Sequence, residues 1–477
     1  MDSKSLKQKA FSGVVWSAVD RFSSQGIAFV ISILLARMLT PHDYGLIAMI
    51  GIFISISETF VDSGLSSALV RNKDRSELDF STAFYTNIVI GIVCYGLLYG
   101  CAPLISQFYN EPELTSITRA MGIVFFLFSF SNVQQAILAI RIDFKTKTKI
   151  SLISVVMSGI IGIVLAYLKF GVWALVIQQV SAAFVKVVLQ WIYIKWRPLF
   201  AFSFSSFRSL FSFGSKMLAT GLINSISSNL YTLIIGKTYA ADSLGFYSRA
   251  GQFVQFPSAS ITNIIKSVSF PTMSIIQDDD ERFKMNFLRI QNTVTFVVFP
   301  LIIGLAAVSD PLIMLLLGKK WIYSSVLMQI ICMGLIWYPV YTQNLNIMEV
   351  KGYSNYVLQS ETLTKTSGIS LLLLSLPFGL EAICYSQVIS NIISVLVSNY
   401  YITKTINLPY STLFVAIWRN LIFSCIMGLA SYFSLMVVDG YGMKVFVAII
   451  MGFLVYLWLQ YFFNHKTVVD FLKIIKK

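Results

Sequence analysis

Along this chain, apolar runs of roughly 20 residues or more alternate with short polar breaks, the pattern of successive helices that each cross a bilayer. Fourteen such runs are predicted, at 12–37, 44–70, 82–106, 114–140, 150–168, 171–194, 208–236, 243–270, 286–309, 322–348, 354–376, 380–403, 412–437 and 442–463. The longest polar break, around Gln277 to Lys284, reads as a loop. The fold expected is therefore all-α and polytopic, with almost nothing left for a soluble domain.

Within the runs the polar residues are ordered. In the seventh, Ser212, Lys216, Thr220, Asn224 and Ser228 recur every fourth residue, a slowly turning face about 24 Å long at about 1.5 Å per residue. The first run repeats the stripe 200 residues earlier, with Asp20 over Thr220, Ser24 over Asn224 and Ser32 over Thr232. The second carries Ser55, Glu58, Thr59, Asp62 and Ser66, and the eighth answers with Gln255, Ser258, Thr262 and Lys266. At the same offset, residues 36–53 lie over 236–253, sharing Gly45/Gly245, Gly51/Gly251 and Phe53/Phe253, with Arg37 over Lys237. The offset skips six runs, so both copies run in one direction. That predicts parallel repeats about an axis along the membrane normal, with a site between them. The expected lobes are 1–200 (spans 1 to 6) and 201–404 (spans 7 to 12), followed by 405–477 with spans 13 and 14 and a short basic tail.

Eight cations interrupt the runs: Arg21, Arg119, Lys186, Lys216, Arg249, Lys266, Lys365 and Arg419. At mid-membrane each costs about 2.5–3.5 kcal/mol on insertion scales, so each needs a wet cavity, a counter-charge or a route to the interface. Ser and Thr stripes alone also serve helix packing, but packing does not require Lys216, Glu58 or Asp62. Glu361 and Lys365, four apart on one helix, read as a self-satisfying pair. Arg419, Arg21 and Lys216 lie near a cytoplasmic end, within reach of snorkelling. Lys186 shares a face with Gln178 and Gln190, while Arg249 precedes Gln252, Gln255 and the kinking Pro257; these two point to a cavity.

Composition agrees: 56% of the residues are hydrophobic, 12% are charged, and mean hydropathy is +0.74. A net charge of +14 would suit nucleic acid, but its distribution says otherwise. Counting loops from a cytoplasmic N-terminus, the even loops and both tails hold 22 Lys/Arg, and the opposite side holds six: Arg37, Lys169, Lys237, Lys319, Lys320 and Lys444. Both termini are thus predicted to be cytoplasmic, and the charge reports topology and attraction to anionic lipid. Cys94, Cys101, Cys332, Cys384 and Cys425 all fall in spans without metal-type spacing and read as packing residues. The start of the chain reads as a retained first span, since Asp20 and Arg21 break its apolar run. The acidic run Asp278 to Glu281 lacks calcium-loop spacing and reads as a solvated loop. His42 and His465 sit at span edges with no catalytic partners.

Four motifs are more specific: LLARMLTPHDYGLIA (34–48), FVDSGLSSALVRNKD (60–74), Gln134-Gln135 leading to IRIDFK (140–145), and FPTMSIIQDD (270–279). With these the chain resembles the polysaccharide-exporting flippases of the multidrug/oligosaccharidyl-lipid/polysaccharide superfamily, above all the colanic-acid and O-antigen branch. The resemblance spans essentially the whole chain. It implies a bacterial inner-membrane transporter of two six-span lobes and two extra spans, which turns an oligosaccharide on undecaprenyl diphosphate from the cytoplasmic to the periplasmic leaflet. Related lipid flippases line their cavity with arginines from spans 1, 2 and 8. Arg21 and Arg249 match by span, whereas span 2 here offers Glu58 and Asp62.

The residue reading and the resemblance lead to one expectation. Arg249, Lys216, Lys186, Lys266 and Arg21 hold the diphosphate, the polar lining of Ser24, Thr220, Asn224, Ser228, Gln252 and Gln255 meets the sugar, and rocking lobes exchange access. Asp20, Glu58 and Asp62 are candidates for taking up Na+ or H+; no other cofactor and no metal site are expected. Partners expected are the lipid-linked oligosaccharide, the bilayer and other polysaccharide-assembly membrane proteins. The first rival is a cation-coupled drug exporter of the same fold, favoured by the acidic stripe of span 2 and opposed by the embedded cations. An enzyme such as an O-antigen ligase or polymerase needs a large external loop, and the outward breaks here are short.

Overall fold

The computed structural model describes residues 23–62 and 64–464. Asp20, Arg21, His465 and the tail lysines lie outside that range. Among the described residues every regular element is a helix, and two compact units divide between Gly245 and Phe246. The first unit contains α1 (Ser23–Met38), α2 (Pro41–Asp62), α3 (Leu65–Arg71), α4 (Glu77–Tyr109), α5 (Leu114–Ser129), α6 (Asn132–Arg141), α7 (Phe144–Tyr167), α8 (Val172–Tyr193) and α9 (Phe204–Thr238). It also takes the first turn of α10 (Ala241–Ile275). The second unit continues with α11 (Asp280–Ala307), α12 (Ser309–Leu316), α13 (Ile322–Leu335), α14 (Tyr338–Val350), α15 (Ser354–Ser375), α16 (Leu380–Ile406), α17 (Tyr410–Ser434) and α18 (Tyr441–Phe463).

Among the described residues, helices or helix pairs fall on all fourteen predicted runs, on the first of them from Ser23 onward. Ten helices among the described residues are long and apolar enough to cross a membrane, or eleven when α5 and α6, bent by 43°, count as one span. The polar stripe makes α10 less apolar than its neighbours, and Glu361 and Lys365 do the same for α15. The outer faces are apolar: Leu97 is 63% exposed, Leu374 70% and Phe453 62%. Contiguous apolar faces on helices of this length belong in hydrocarbon, so this is a multi-pass membrane protein.

Local chemistry explains the helix ends. Ser76 and Asp79 close a reciprocal capping box at the start of α4, Asp143 accepts from Thr146 N at 3.0 Å at the start of α7, and Thr40 N donates to Asp43 Oδ2 at 2.8 Å at the start of α2. The break expected as a loop from Gln277 to Lys284 is a turn only as far as Asp279, which caps α11; Asp280 and Glu281 form the first turn of that helix, where acidic side chains suit its N-terminus, and Lys351 Nζ donates to Asp280 Oδ1 at 2.7 Å and to Gln277 O at 2.6 Å.

In the first unit, α9 lies along α2 and α3 through a seam of small residues. Just beyond the end of α9, where the first turn of α10 meets the first turn of α2, a Cβ on Gly45 would stand 1.8 Å from Ala241 O, and one on Gly245 would stand 1.9 Å from Pro41 O. The two contacts are reciprocal at an offset of 200 residues, so the repeat seen in sequence meets itself backbone to backbone. Midway, Ser55 and Ser225 share a hydrogen bond at 2.8 Å, and Thr59 Oγ1 lies 3.0 Å from Ser225 Oγ. At the far end Gly64, at φ +66°, approaches Gly214 so closely that a Cβ would lie 2.6 Å from its carbonyl oxygen.

In the second unit, α17 and α18 are joined to α11 by a buried polar network. Asn420 Nδ2 donates to Asn292 Oδ1 at 2.7 Å and Thr295 Oγ1 at 2.9 Å, Gln460 Nε2 donates to Asn420 Oδ1 at 2.8 Å, and Tyr456 OH donates to Phe296 O at 2.8 Å. Hydrocarbon offers no substitute partner for these groups. Asn420→Leu should therefore lower the thermal unfolding midpoint in detergent, at a cost of about 1–3 kcal/mol for the stranded amides; an unchanged midpoint would mean that the network adds no stability.

Candidate functional site

The polar stripe of α9 is arranged as its spacing predicts. Lys216, Thr220, Asn224 and Ser228 are all exposed along one side of a 35-residue helix, while Gly221 and Ser225 face α2. Two hydroxyls of the stripe bond back to their own helix, Thr220 to Lys216 O at 3.0 Å and Ser228 to Asn224 O at 2.7 Å. Each still has acceptor capacity to offer. Asn224 and the Lys216 ammonium extend from the same face. Ser24 stands on α1, half-buried.

Glu58 and Asp62 are exposed near the end of α2. Lys186 on α8 is half-buried, within electrostatic reach of Glu58 and 5.9 Å from the centroid of the Phe128 ring. The structure thus brings together an acid and a cation that sequence spacing left unrelated. Arg119, another embedded cation, lies 4.4 Å over the Tyr99 ring, a cation–π contact that offsets part of the cost of its place in a span.

In the second unit, Arg249 and Gln252 are half-buried on α10 and Gln255 is exposed. Lys266 forms an ion pair with Glu349 of α14 at 3.5 Å. Its charge is therefore partly offset by a residue 83 positions away, a partner that no local pattern reveals. Glu361 and Lys365 pair at 3.2 Å as their spacing predicts.

Both units contain a broken span rich in amides. In the first, Asn132 Nδ2 of α6 donates to Val61 O at 2.9 Å, and Gln135 Nε2 donates to Ser131 Oγ at 2.9 Å. In the second, Asn344 Nδ2 of α14 donates to Ser398 Oγ at 2.9 Å, and Asn346 Nδ2 donates to Ser269 Oγ at 3.0 Å. Of these four bonds only that of Asn132 reaches a backbone group, the Val61 carbonyl near the end of α2; the other three join side chains.

The feature that residue spacing did not disclose is a half-open cavity of about 490 Å³ in the first unit, walled by the end of α2, by α3, by α6 and by the start of α7. Asp62, Arg71, Gln135, Asp143, Phe144 and Lys147 supply its chemistry. Three stretches quoted above for their resemblance, 60–74, Gln134-Gln135 and 140–145, converge here. Among the described residues no group of three or more His, Cys, Asp or Glu is placed to hold a metal ion.

Residues 34–326 match the family described as "Polysaccharide biosynthesis protein". The chain is 26% identical over 462 residues to the teichuronic acid biosynthesis protein TuaB of Bacillus subtilis (strain 168), covering 95% of this chain and 96% of TuaB. It is 27% identical over 333 residues to the lipopolysaccharide biosynthesis protein WzxC of Escherichia coli (strain K12), covering 69% of this chain and 67% of WzxC. Among solved structures, the lipid II flippase MurJ in an inward closed conformation superposes with a TM-score of 0.76 at 16% identity, over 95% of this chain and 100% of that one. That likeness is one of fold.

Proposed function

From the premise that this chain belongs to the polysaccharide biosynthesis protein family, we propose that it is a flippase. It turns an oligosaccharide unit on undecaprenyl diphosphate from the cytoplasmic to the periplasmic leaflet of a bacterial inner membrane, with both termini cytoplasmic. The observation that carries the reading is the exposed stripe of Lys216, Thr220, Asn224 and Ser228 along a membrane-length helix. An isolated charge in such a helix is costly, and an anionic substrate with a hydroxylated head supplies what the stripe lacks.

The chemistry follows from the substrate. A diphosphate cannot enter hydrocarbon unpaired, so cations must meet it. In this reading Arg249, Lys216, Lys186, Lys266 and Arg21 do so, and Ser24, Gln252 and Gln255 join the α9 stripe in hydrogen-bonding the sugar. The polyprenyl tail stays in lipid while the polar head is carried across by alternating exposure to the two sides. Asp20, Glu58 and Asp62 are the groups proposed to take up Na+ or H+ for the return step. No covalent bond is made or broken, and the product passes to other membrane proteins of polysaccharide assembly.

Arg249→Ala should abolish surface polysaccharide at normal membrane protein level, while Arg249→Lys should retain part of it, because charge matters more here than the guanidinium fork. Normal polysaccharide in the alanine variant would remove Arg249 from the mechanism. Purified protein should also bind a short-chain polyprenyl-diphosphate glycan more tightly than a cationic dye, with an affinity that falls as salt rises. Tighter dye binding that disappears in Glu58→Gln would instead support cation-coupled drug export, the reading that the exposed acids of α2 favour.

A further inference from the structure

We propose that the cavity walled by α2, α3, α6 and α7 is a sugar-reading pocket, which selects the glycan head of the substrate by its hydroxyl pattern. The proposal rests on the flippase reading and adds to it a point of glycan selection apart from the cations assigned to the diphosphate. Its volume, about 490 Å³, lies in the range of small-molecule pockets, about 300–1,000 Å³.

Charge balance identifies the ligand class. The walls carry two carboxylates, Asp62 and Asp143, and two cations, Arg71 and Lys147, so the formal charges cancel and a bare anion gains no net attraction. Several of these groups are also held in place. Asp143 accepts from Thr146 N and, at 2.7 Å, from Thr146 Oγ1. The Arg71 guanidinium lies 4.6 Å over the Phe213 ring. The Gln135 amide is oriented by Ser131. What the walls offer is a fixed alternation of acceptors and donors: carboxylate and amide oxygens beside guanidinium and ammonium N–H groups. Vicinal sugar hydroxyls, each both donor and acceptor, match such an alternation, whereas a phosphate accepts only.

The remaining wall fits the same ligand. Phe144, half-buried at the start of α7, lines the cavity, and a phenyl ring presents a flat apolar face to the C–H side of a pyranose. Carboxylate, amide, guanidinium and ring thus meet in one recess, drawn from four helices.

The test uses the full-length protein in nanodiscs. The probe is the oligosaccharide mixture that mild acid releases from the producing strain's own surface polysaccharide, followed by saturation-transfer NMR with inorganic pyrophosphate as competitor. Wild type should bind the oligosaccharides, and pyrophosphate should not displace them. Gln135→Ala and Phe144→Leu should each bind about tenfold more weakly; the leucine keeps apolar bulk on α7 while removing the flat ring. Absence of saturation transfer in wild type, or transfer that both variants retain, overturns the proposal. Displacement by pyrophosphate also overturns it and marks an anion site instead. Deleting the gene in the same strain tests the flippase reading separately: loss of polysaccharide on deletion, with no oligosaccharide binding, removes the pocket and leaves transport standing.

Discussion

Gly45→Ala is expected to stop surface polysaccharide production and to lower the amount of folded protein in the membrane, whereas Gly51→Ala, further along α2, should behave like wild type. A Cβ at position 45 would lie 1.8 Å from Ala241 O and 2.5 Å from its carbonyl carbon. Both atoms are backbone, so no side chain is available to rotate away. A Cβ at position 51 would meet nothing within 4 Å. Overpacking of an ordinary core costs about 1–3 kcal/mol, and a contact between two main chains should exceed that. The reciprocal Gly245→Ala should match Gly45→Ala in sign and size. Polysaccharide staining and membrane protein level together check the set, and a Gly45→Ala strain with normal amounts of both would show that the crossing tolerates separation.

The second large effect is expected from a reversible lock. Ser55 and Ser225 have their hydroxyl oxygens 2.8 Å apart, a placement that suits a disulfide between cysteines at the same positions. Access from the two sides of the membrane requires helices to part at one side and then the other, and in this structure the seam between α2 and α9 is in contact from Met49 to Thr59. Ser55→Cys/Ser225→Cys should therefore lose transport on oxidation and regain it with a reductant. Each single variant controls for the five native cysteines. A double variant that is demonstrably cross-linked yet still active would mean that α2 and α9 move as one body and that the parting occurs elsewhere.

What could be read from the sequence was whatever depends on local period. The fourteen apolar runs mark helices because hydrocarbon demands unbroken backbone pairing, and the stripe from Lys216 to Ser228 was legible because one helix carries all of it. Glu361 and Lys365 were legible for the same reason. The repeat showed as Gly45 over Gly245, but that these two glycines permit a backbone crossing became visible only when Pro41 and Ala241 were seen opposite them. Contacts that join distant segments left no periodic trace. Lys266 and Glu349 come from different helices, and Glu58 and Lys186 are united only by packing. The cavity escaped for a related reason. Its polar residues stand at helix ends, where Arg71, Asp143 and Lys147 read as ordinary loop charge. The occurrence of Asp62, Arg71, Gln135 and Asp143 in motifs of resemblance was the one available signal. Asp20 and Arg21 fall outside the described residues, so the roles expected of them stand as proposals.

The network around Asn420 also has a bearing on how the chain is made. Asn292 is synthesised 128 residues before Asn420, and synthesis at about 5–20 residues per second separates the two by roughly 6 to 26 seconds. Through that interval Asn292 does not yet have the Asn420 donor that it meets in the folded protein. In hydrocarbon a buried amide gains from every partner it can reach, so the link between α11 and the last two spans forms only once α17 has been made. The second unit thus acquires its last internal polar links only with the C-terminal hairpin.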